Sequence, residues 1–155
     1  MNFRLAGLIA ALIASLALGV AYYAQYWMQL APCELCLLER WPYRVVIVLG
    51  LLALCFGGIL ARAFVVLAGV AMLVNVGLAG LHAGVEFHWW ASPFPECNSV
   101  LSLGAALPMH PSVSCDRGVY LLSSVPLTMT QMDFIASVLF TLLLFFMAAQ
   151  SRRRL

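Results

Sequence analysis

The sequence has 155 residues, of which 65% are apolar and only 9% are charged. Soluble domains carry about 25% charged residues, so this composition excludes a soluble globular protein and predicts a single compact membrane domain over residues 1–155. The chain contains no lysine, and no basic patch alternates with aromatic residues, which argues against nucleic acid as a partner.

Four apolar runs are predicted to be membrane-spanning helices, because each approaches the ~20 residues that a helix needs to cross the hydrocarbon core. The predicted spans cover about residues 5–25, 43–61, 63–85 and 129–149, and the predicted loops cover 26–42 and 86–128. The first run could also be a cleaved signal peptide, but it exceeds the ~7–15 apolar residues of such peptides, which favours a retained helix. The pattern therefore predicts an all-α membrane protein with a four-transmembrane-helix bundle.

A proline and an arginine indicate where the second and third spans begin. Pro42 fits the first turn of a helix, where its missing N–H is no loss, so residues 36–40 are expected to form a short separate turn before it. Arg62 is expected to make the turn into the third span, and Cys55 would then be a small apolar core residue in mid-span.

Two polar features are expected inside the later spans. Asn75 is predicted to be a buried amide at a helix–helix contact. Thr130 and Asp133 have the spacing of a capping box at the start of the last span.

The long loop 86–128 holds five of the seven prolines and is predicted not to cross the membrane. Its apolar stretches 101–107 and 119–127 are too short to span, so we expect short interfacial helices there. Trp89 and Trp90 are expected to anchor the chain at the interface.

The charges predict the orientation of the bundle. Four spans place both termini and the Arg62 turn on one side, which carries five arginines and no acid: Arg4, Arg62, Arg152, Arg153 and Arg154. The positive-inside rule makes that side cytoplasmic. Four cysteines then face the opposite side, where disulfides persist: Cys33, Cys36, Cys97 and Cys115.

These four cysteines form two pairs, one tight and one in the long loop. Two disulfides could staple the loops, but a Cys-x-x-Cys closes a loop too small to add much stability. A metal site with four thiolates is disfavoured by the oxidising compartment and by the loose spacing of Cys97 and Cys115. The third interpretation is an electron relay, in which the loop pair exchanges with a soluble partner and the pair at Cys33 and Cys36 passes electrons onward.

Four motifs in this order resemble the DsbB family of bacterial inner-membrane disulfide-generating proteins. They are residues 32–43, with the Cys-x-x-Cys and Arg40, then 81–86, 95–97 and 114–116. The resemblance implies a four-helix bundle that binds ubiquinone or menaquinone near the periplasmic surface and reoxidises the thioredoxin-fold protein DsbA. It also implies inner-membrane localisation, with both termini cytoplasmic and the redox cysteines periplasmic.

The resemblance also implies a role for each matching residue. Cys97 would form the mixed disulfide with DsbA, and Cys115 would be its partner. Cys33 would exchange with Cys115, while Cys36 would face the quinone as a thiolate. Arg40 would stabilise that thiolate and the reduced quinone oxygen.

Several points stay open at this stage. His82 and His88 compete for the quinone-side histidine of the family, no metal ligand is assigned, and Glu39 is expected to be solvated or paired with an arginine. The resting pairing is either 33–36 with 97–115 or a 33–115 cross-link, since four cysteines allow three connectivities. The alternatives in function are an enzyme like vitamin K epoxide reductase, whose Cys-x-x-Cys however lies late in the chain, and a small membrane metal carrier or stapled structural subunit.

Overall fold

The computed structural model describes residues 3–94, 97, 114–121 and 126–150. Within them the chain forms four α-helices: α1 (Phe3–Tyr26), α2 (Glu34–Cys55), α3 (Gly58–Glu86) and α4 (Met129–Gln150). These residues contain no β-strand, only an isolated bridge between Tyr120 and Thr128. The predicted all-α helical bundle is confirmed.

Three helices in the described part of the chain, α1, α3 and α4, are long and apolar enough to cross a membrane. α2 is similarly long, but its first half carries the charges of Glu34, Glu39, Arg40 and Arg44. It nevertheless packs inside the bundle, where Val46 and Ala53 are fully buried against the other helices. The charged half of α2 therefore marks the end of the bundle where polar chemistry is concentrated.

Small residues bring α1 and α2 into close contact. Ala6, Ala10 and Ala14 recur at four-residue spacing on the buried face of α1, which is how small side chains let helix backbones approach in membranes. A Cβ atom added at Gly7 would lie 2.6 Å from the Gly50 carbonyl oxygen of α2. Gly7 and Gly50 are thus the point of closest approach between the two helices.

The predicted break before Pro42 is wrong, because α2 runs through this proline without interruption. An interior proline destabilises a helix by about 3 kcal/mol, so contacts on both sides must offset that effect. Glu39 and Arg40 make buried side-chain contacts on one side, and Tyr43 does so on the other.

The turn between α2 and α3 lies at Phe56 and Gly57, not at the predicted Arg62. Gly58 has φ +64°, a left-handed conformation that glycine adopts without steric strain, and the chain therefore reverses here. Arg62 consequently lies inside α3. Cys55 is the exposed last residue of α2, so the prediction of a buried mid-span cysteine is also wrong.

The start of α4 is capped differently from the prediction. The Thr128 hydroxyl accepts a hydrogen bond from the Gln131 backbone N–H (3.3 Å), so Thr128 caps the helix in place of Thr130. Asp133 instead accepts hydrogen bonds from Tyr43 (2.7 Å) and from the Asn75 amide (3.1 Å). The predicted role of Asn75 as a buried amide between helices is confirmed.

The long loop is described only in part. The predicted interfacial helix over 101–107 lies outside the described residues, and the described residues of 119–127 form no helix. The Met129 N–H donates to the Val119 carbonyl (2.8 Å), which ties the end of the loop to the start of α4. Trp89 and Trp90 are both exposed just beyond α3.

Candidate dithiol site

Cys33 and Cys36 lie together at the first turn of α2. Cys33 is the N-cap of the helix, and its Sγ accepts a hydrogen bond from the Cys36 backbone N–H at 3.4 Å. The two sulfurs are 2.8 Å apart, with Cys33 buried and Cys36 half-buried. The hydrogen bond from the Cys36 thiol lowers the pKa of Cys33 below its usual range, and a lower pKa increases the thiolate fraction of a cysteine.

His82, near the end of α3, brings an imidazole ring against Cys33. Its Nε2 atom lies 3.6 Å from the Cys33 Sγ, and its Nδ1 atom lies 2.8 Å from a Glu39 carboxylate oxygen. A carboxylate can only accept, so Nδ1 carries a hydrogen and donates it to Glu39. In the neutral ring, Nε2 then presents its lone pair to the sulfur.

The sequence had led us to expect Glu39 in solvent or paired with an arginine, and the described part of the structure shows neither. Its side chain is only 9% exposed and its carboxylate is hydrogen-bonded to His82. The burial follows from its place on α2, where the helix turns Glu39 inward toward α3 and away from the lipid.

One face of α2 carries the polar side chains of the site. Counted from Cys36, the next polar residues follow at three, four and seven positions: Glu39, Arg40 and Tyr43. This spacing places all four on one side of a helix. This spacing is visible in the sequence and could have identified Glu39 and Tyr43 as site residues beside the cysteines.

Arg40 is buried although it is charged. Its guanidinium donates to the Gln25 side-chain oxygen of α1 at 2.6 Å and lies 5.0 Å from the centre of the Tyr22 ring. These contacts hold the cation at the wall of the cavity that also contains Cys36.

The site opens into a cavity of about 110 Å³ between the helices. Cys33, Cys36, Arg40 and His82 line it, together with Cys115 from the long loop. α1 contributes an apolar wall of three alanines and one leucine, Ala17, Leu18, Ala21 and Ala24. An engineered apolar cavity of about 150 Å³ binds benzene, so this space is of the right order for one six-membered ring.

Cys97 and Cys115 form a disulfide, with their Cα atoms 4.9 Å apart. Both residues are buried in one cluster with Cys33, Leu35 and Val85. The disulfide therefore packs directly beside the dithiol. It also occupies two of the sulfurs that a metal site with four thiolates would require.

The two candidate histidines occupy very different environments. His82 is 3% exposed and lines the cavity. The His88 side chain is 72% exposed, and its Nε2 lies 4.0 Å from an Asp116 carboxylate oxygen. His88 is not among the residues that line the cavity.

A second polar group on the cavity wall was not anticipated. Asp133 and Tyr43, hydrogen-bonded to each other across α4 and α2, both line the cavity. Asn75 of α3 joins them through its amide N–H, while its Oδ1 atom is buried without a partner in the described part of the chain. An acidic residue within a membrane helix is the signal that could have indicated such a site.

A helical membrane bundle with a dithiol packed against a disulfide at one end defines the class of membrane thiol–disulfide proteins. The family model for "Disulfide bond formation protein DsbB" matches residues 3–147. The chain therefore belongs to the DsbB family.

Curated relatives agree with this assignment. The chain is 31% identical to disulfide bond formation protein B of Acinetobacter baumannii, over 70% of this chain and 66% of that protein. It is 32% identical to the protein of that name from Herminiimonas arsenicoxydans, over 50% of this chain and 49% of the relative. The corresponding protein of Pasteurella multocida is 27% identical over 81% of this chain and 74% of its own length.

The matched region thus spans less than two thirds of the length of the first two relatives. No solved structure matches the chain.

Proposed function

We propose that the protein reoxidises a DsbA-like thiol oxidase of the periplasm and passes the electrons to ubiquinone or menaquinone in the inner membrane. One observation carries the proposal: Cys33, Cys36 and Cys115 line the same cavity, beside Arg40 and His82. Electrons can therefore pass from the loop disulfide to the membrane level through cysteines that share one cavity.

The chemistry of the cavity supports a quinone ring as its ligand. Its apolar wall on α1 suits a ring, and Arg40 supplies a cation near the position where charge develops on a carbonyl oxygen. His82, in place of His88, is assigned as the histidine on the quinone side because it lines the cavity. A quinone bound there supplies an acceptor for two electrons and two protons.

Thiol–disulfide exchange can connect the partner to the cavity in balanced steps. A thiolate of the partner attacks Cys97, which breaks the Cys97–Cys115 bond and frees Cys115 as a thiolate. Cys115 then attacks Cys33 of the oxidised Cys33–Cys36 pair, and Cys36 leaves as a thiolate facing the cavity. The partner's second thiolate resolves its own mixed disulfide, so that the partner is oxidised and Cys97 is reduced.

Cys97 finally attacks the Cys33–Cys115 bond. This step restores the Cys97–Cys115 disulfide and leaves Cys33 and Cys36 as a dithiol, which holds the partner's two electrons.

His82, oriented by Glu39, is positioned to accept the thiol proton of Cys33. The Nε2 lone pair accepts the thiol proton at 3.6 Å, and the Glu39 carboxylate stabilises the imidazolium that results. This is the geometry in which a base oriented by a third group activates a nucleophile.

The orientation of the charges supports a periplasmic site. The side with five arginines and no acid is assigned to the cytoplasm, and the dithiol lies at the opposite end of the bundle. A periplasmic partner and a lipid-borne acceptor can both reach that end.

Steady-state turnover tests the proposal. The purified chain in detergent should reduce a short-chain ubiquinone or menaquinone when reduced DsbA is added. Cys36→Ser should abolish this while Cys97 still traps DsbA as a mixed disulfide. Cys55→Ser is the matched control and should keep full activity, since Cys55 is exposed at the last residue of α2. Failure of the intact protein to turn over with either quinone would end the proposal, and full activity of Cys36→Ser would overturn the assignment of Cys36.

A further inference from the structure

We propose that the reduced dithiol site also binds one thiophilic divalent cation, such as Zn²⁺, through Cys33, Cys36 and His82, and that the bound metal blocks reoxidation of the pair. The two sulfurs and one ring nitrogen of these residues all lie within 4.8 Å of one another. Two thiolates and one imidazole form a known zinc ligand set, and three protein ligands leave the fourth position open. All three residues line the cavity.

The distance between His82 and Cys33 agrees with a tetrahedral zinc centre, whereas the distance between the two sulfurs is too short. Zn–N bonds of about 2.0–2.1 Å and Zn–S bonds of about 2.3 Å place nitrogen and sulfur roughly 3.5 Å apart, and two sulfurs roughly 3.8 Å apart. His82 Nε2 and Cys33 Sγ are already 3.6 Å apart. The Cys33 and Cys36 sulfurs, now 2.8 Å apart, must separate by about 1 Å on these bond lengths, and the half-buried Cys36 side chain can turn toward the cavity to do so.

Glu39 gives independent support, because it orients the histidine for this role. Histidines that bind metals almost always donate their other ring N–H to a carboxylate, a backbone carbonyl or water, which fixes the tautomer and raises the basicity of the ligand. The Nδ1 atom of His82 donates to Glu39 at 2.8 Å, and this leaves the Nε2 lone pair directed at the Cys33 sulfur.

Binding would be limited to one redox state. Zn²⁺ displaces the protons of the two thiols and forms two Zn–S bonds with no change in oxidation state, whereas a Cys33–Cys36 disulfide has no thiolate to offer. Metal and oxidation therefore compete for the same sulfurs. The binding itself does not depend on the proposed function, but its inhibitory effect does.

Zinc titration of the full-length chain in detergent tests the inference. A Cys97→Ser/Cys115→Ser background removes the loop thiols, and a chromophoric chelator competes for ZnCl₂. We expect one Zn²⁺ per chain after reduction and none after oxidation of Cys33 and Cys36. Glu39→Gln keeps an acceptor for Nδ1–H but removes the negative charge that raises the basicity of the ring, and it should weaken binding about tenfold, the lower end for changes to an outer-shell partner.

Two ligand variants and one control complete the design. Cys36→Ser and His82→Gln should each lower zinc affinity at least tenfold, and with Co²⁺ as the probe both should alter the visible absorption of a tetrahedral thiolate site. Cys55→Ser should change neither measurement. If a ligand variant fails to fold, zinc binding by Glu39→Gln and by the oxidised chain still tests the inference. Neither experiment substitutes any of the three ligand residues.

Binding of no zinc by the reduced chain, or equal binding with and without the Cys33–Cys36 disulfide, would overturn the inference. If the protein reduces quinone but binds no zinc, only the metal site is refuted. If it binds zinc but shows no quinone turnover, the metal site stands and the proposed function is refuted.

Discussion

The buried pair of Glu39 and His82 yields the sharpest quantitative prediction, because two protonation states of His82 predict different stabilities. The side chains are 9% and 3% exposed, with Oε1 and Nδ1 2.8 Å apart. In the proposed mechanism the ring is neutral in the resting dithiol, and Nδ1–H donates to Glu39. Glu39→Gln then keeps a carbonyl oxygen as acceptor at the same position.

With a neutral histidine, this substitution exchanges a hydrogen bond to a charged group for a neutral one. A hydrogen bond to a charged group contributes about 1.5–3 kcal/mol, and one between neutral groups contributes about 0.5–1.5 kcal/mol. Glu39→Gln should therefore lower the free energy of unfolding by about 1 kcal/mol. Glu39→Leu leaves Nδ1–H buried without an acceptor and should cost about 1–3 kcal/mol. If His82 were an imidazolium, removing its counterion would cost about 3–5 kcal/mol.

Unfolding by SDS in mixed micelles, followed by circular dichroism, measures these differences. A double-mutant cycle of Glu39→Gln with His82→Gln isolates the pairwise contribution. A loss of about 3–5 kcal/mol for Glu39→Gln would refute the reasoning, since a histidine that is already protonated cannot accept the Cys33 proton.

Two further predictions concern helix packing and the thiol. Gly7→Ala should destabilise the bundle by about 1–3 kcal/mol, because the new Cβ would lie 2.6 Å from the Gly50 carbonyl oxygen, whereas Gly19→Ala has no neighbour within 4 Å and should be neutral. Equal SDS-unfolding curves for the two variants would contradict this packing. The lowered pKa of Cys33 means that its thiolate persists to lower pH than that of an ordinary cysteine, and Cys36→Ala, which removes the hydrogen bond, should shift this titration to higher pH. Thiolate absorbance against pH checks the shift, and an unchanged curve would exclude Cys36 as its cause.

The general architecture could be predicted because its signals are local. Apolar runs of sufficient length indicated the helices, and the two cysteine pairs lie in the order that the resemblance implied. Asn75 was correctly expected at a helix–helix contact, because a lone amide in an apolar helix must find a polar partner.

The errors arose where contacts between helices override a local rule. Pro42 disfavours a helix interior, yet buried partners on both sides keep α2 continuous. Glu39 was expected in solvent or paired with an arginine, because its partner, His82, lies 43 positions away in sequence. Cys55 and Arg62 were misplaced together, since the left-handed Gly58 moves the turn toward the N-terminus.

The residues of the site could be predicted only in part. The spacing of Cys36, Glu39, Arg40 and Tyr43 on one helical face was present in the sequence. The pairing of Asp133 with Tyr43 was not visible, because it joins the start of α4 to the middle of α2 across the bundle.

A single-turnover experiment tests the central claim most directly. The chain, with the Cys97–Cys115 disulfide intact and Cys33 and Cys36 reduced, is mixed anaerobically with one equivalent of ubiquinone, and thiols and quinol are counted together. We predict that one quinol forms for each pair of thiols lost, and that mass spectrometry places the new disulfide between Cys33 and Cys36. Unchanged thiols in the presence of bound quinone would contradict the account.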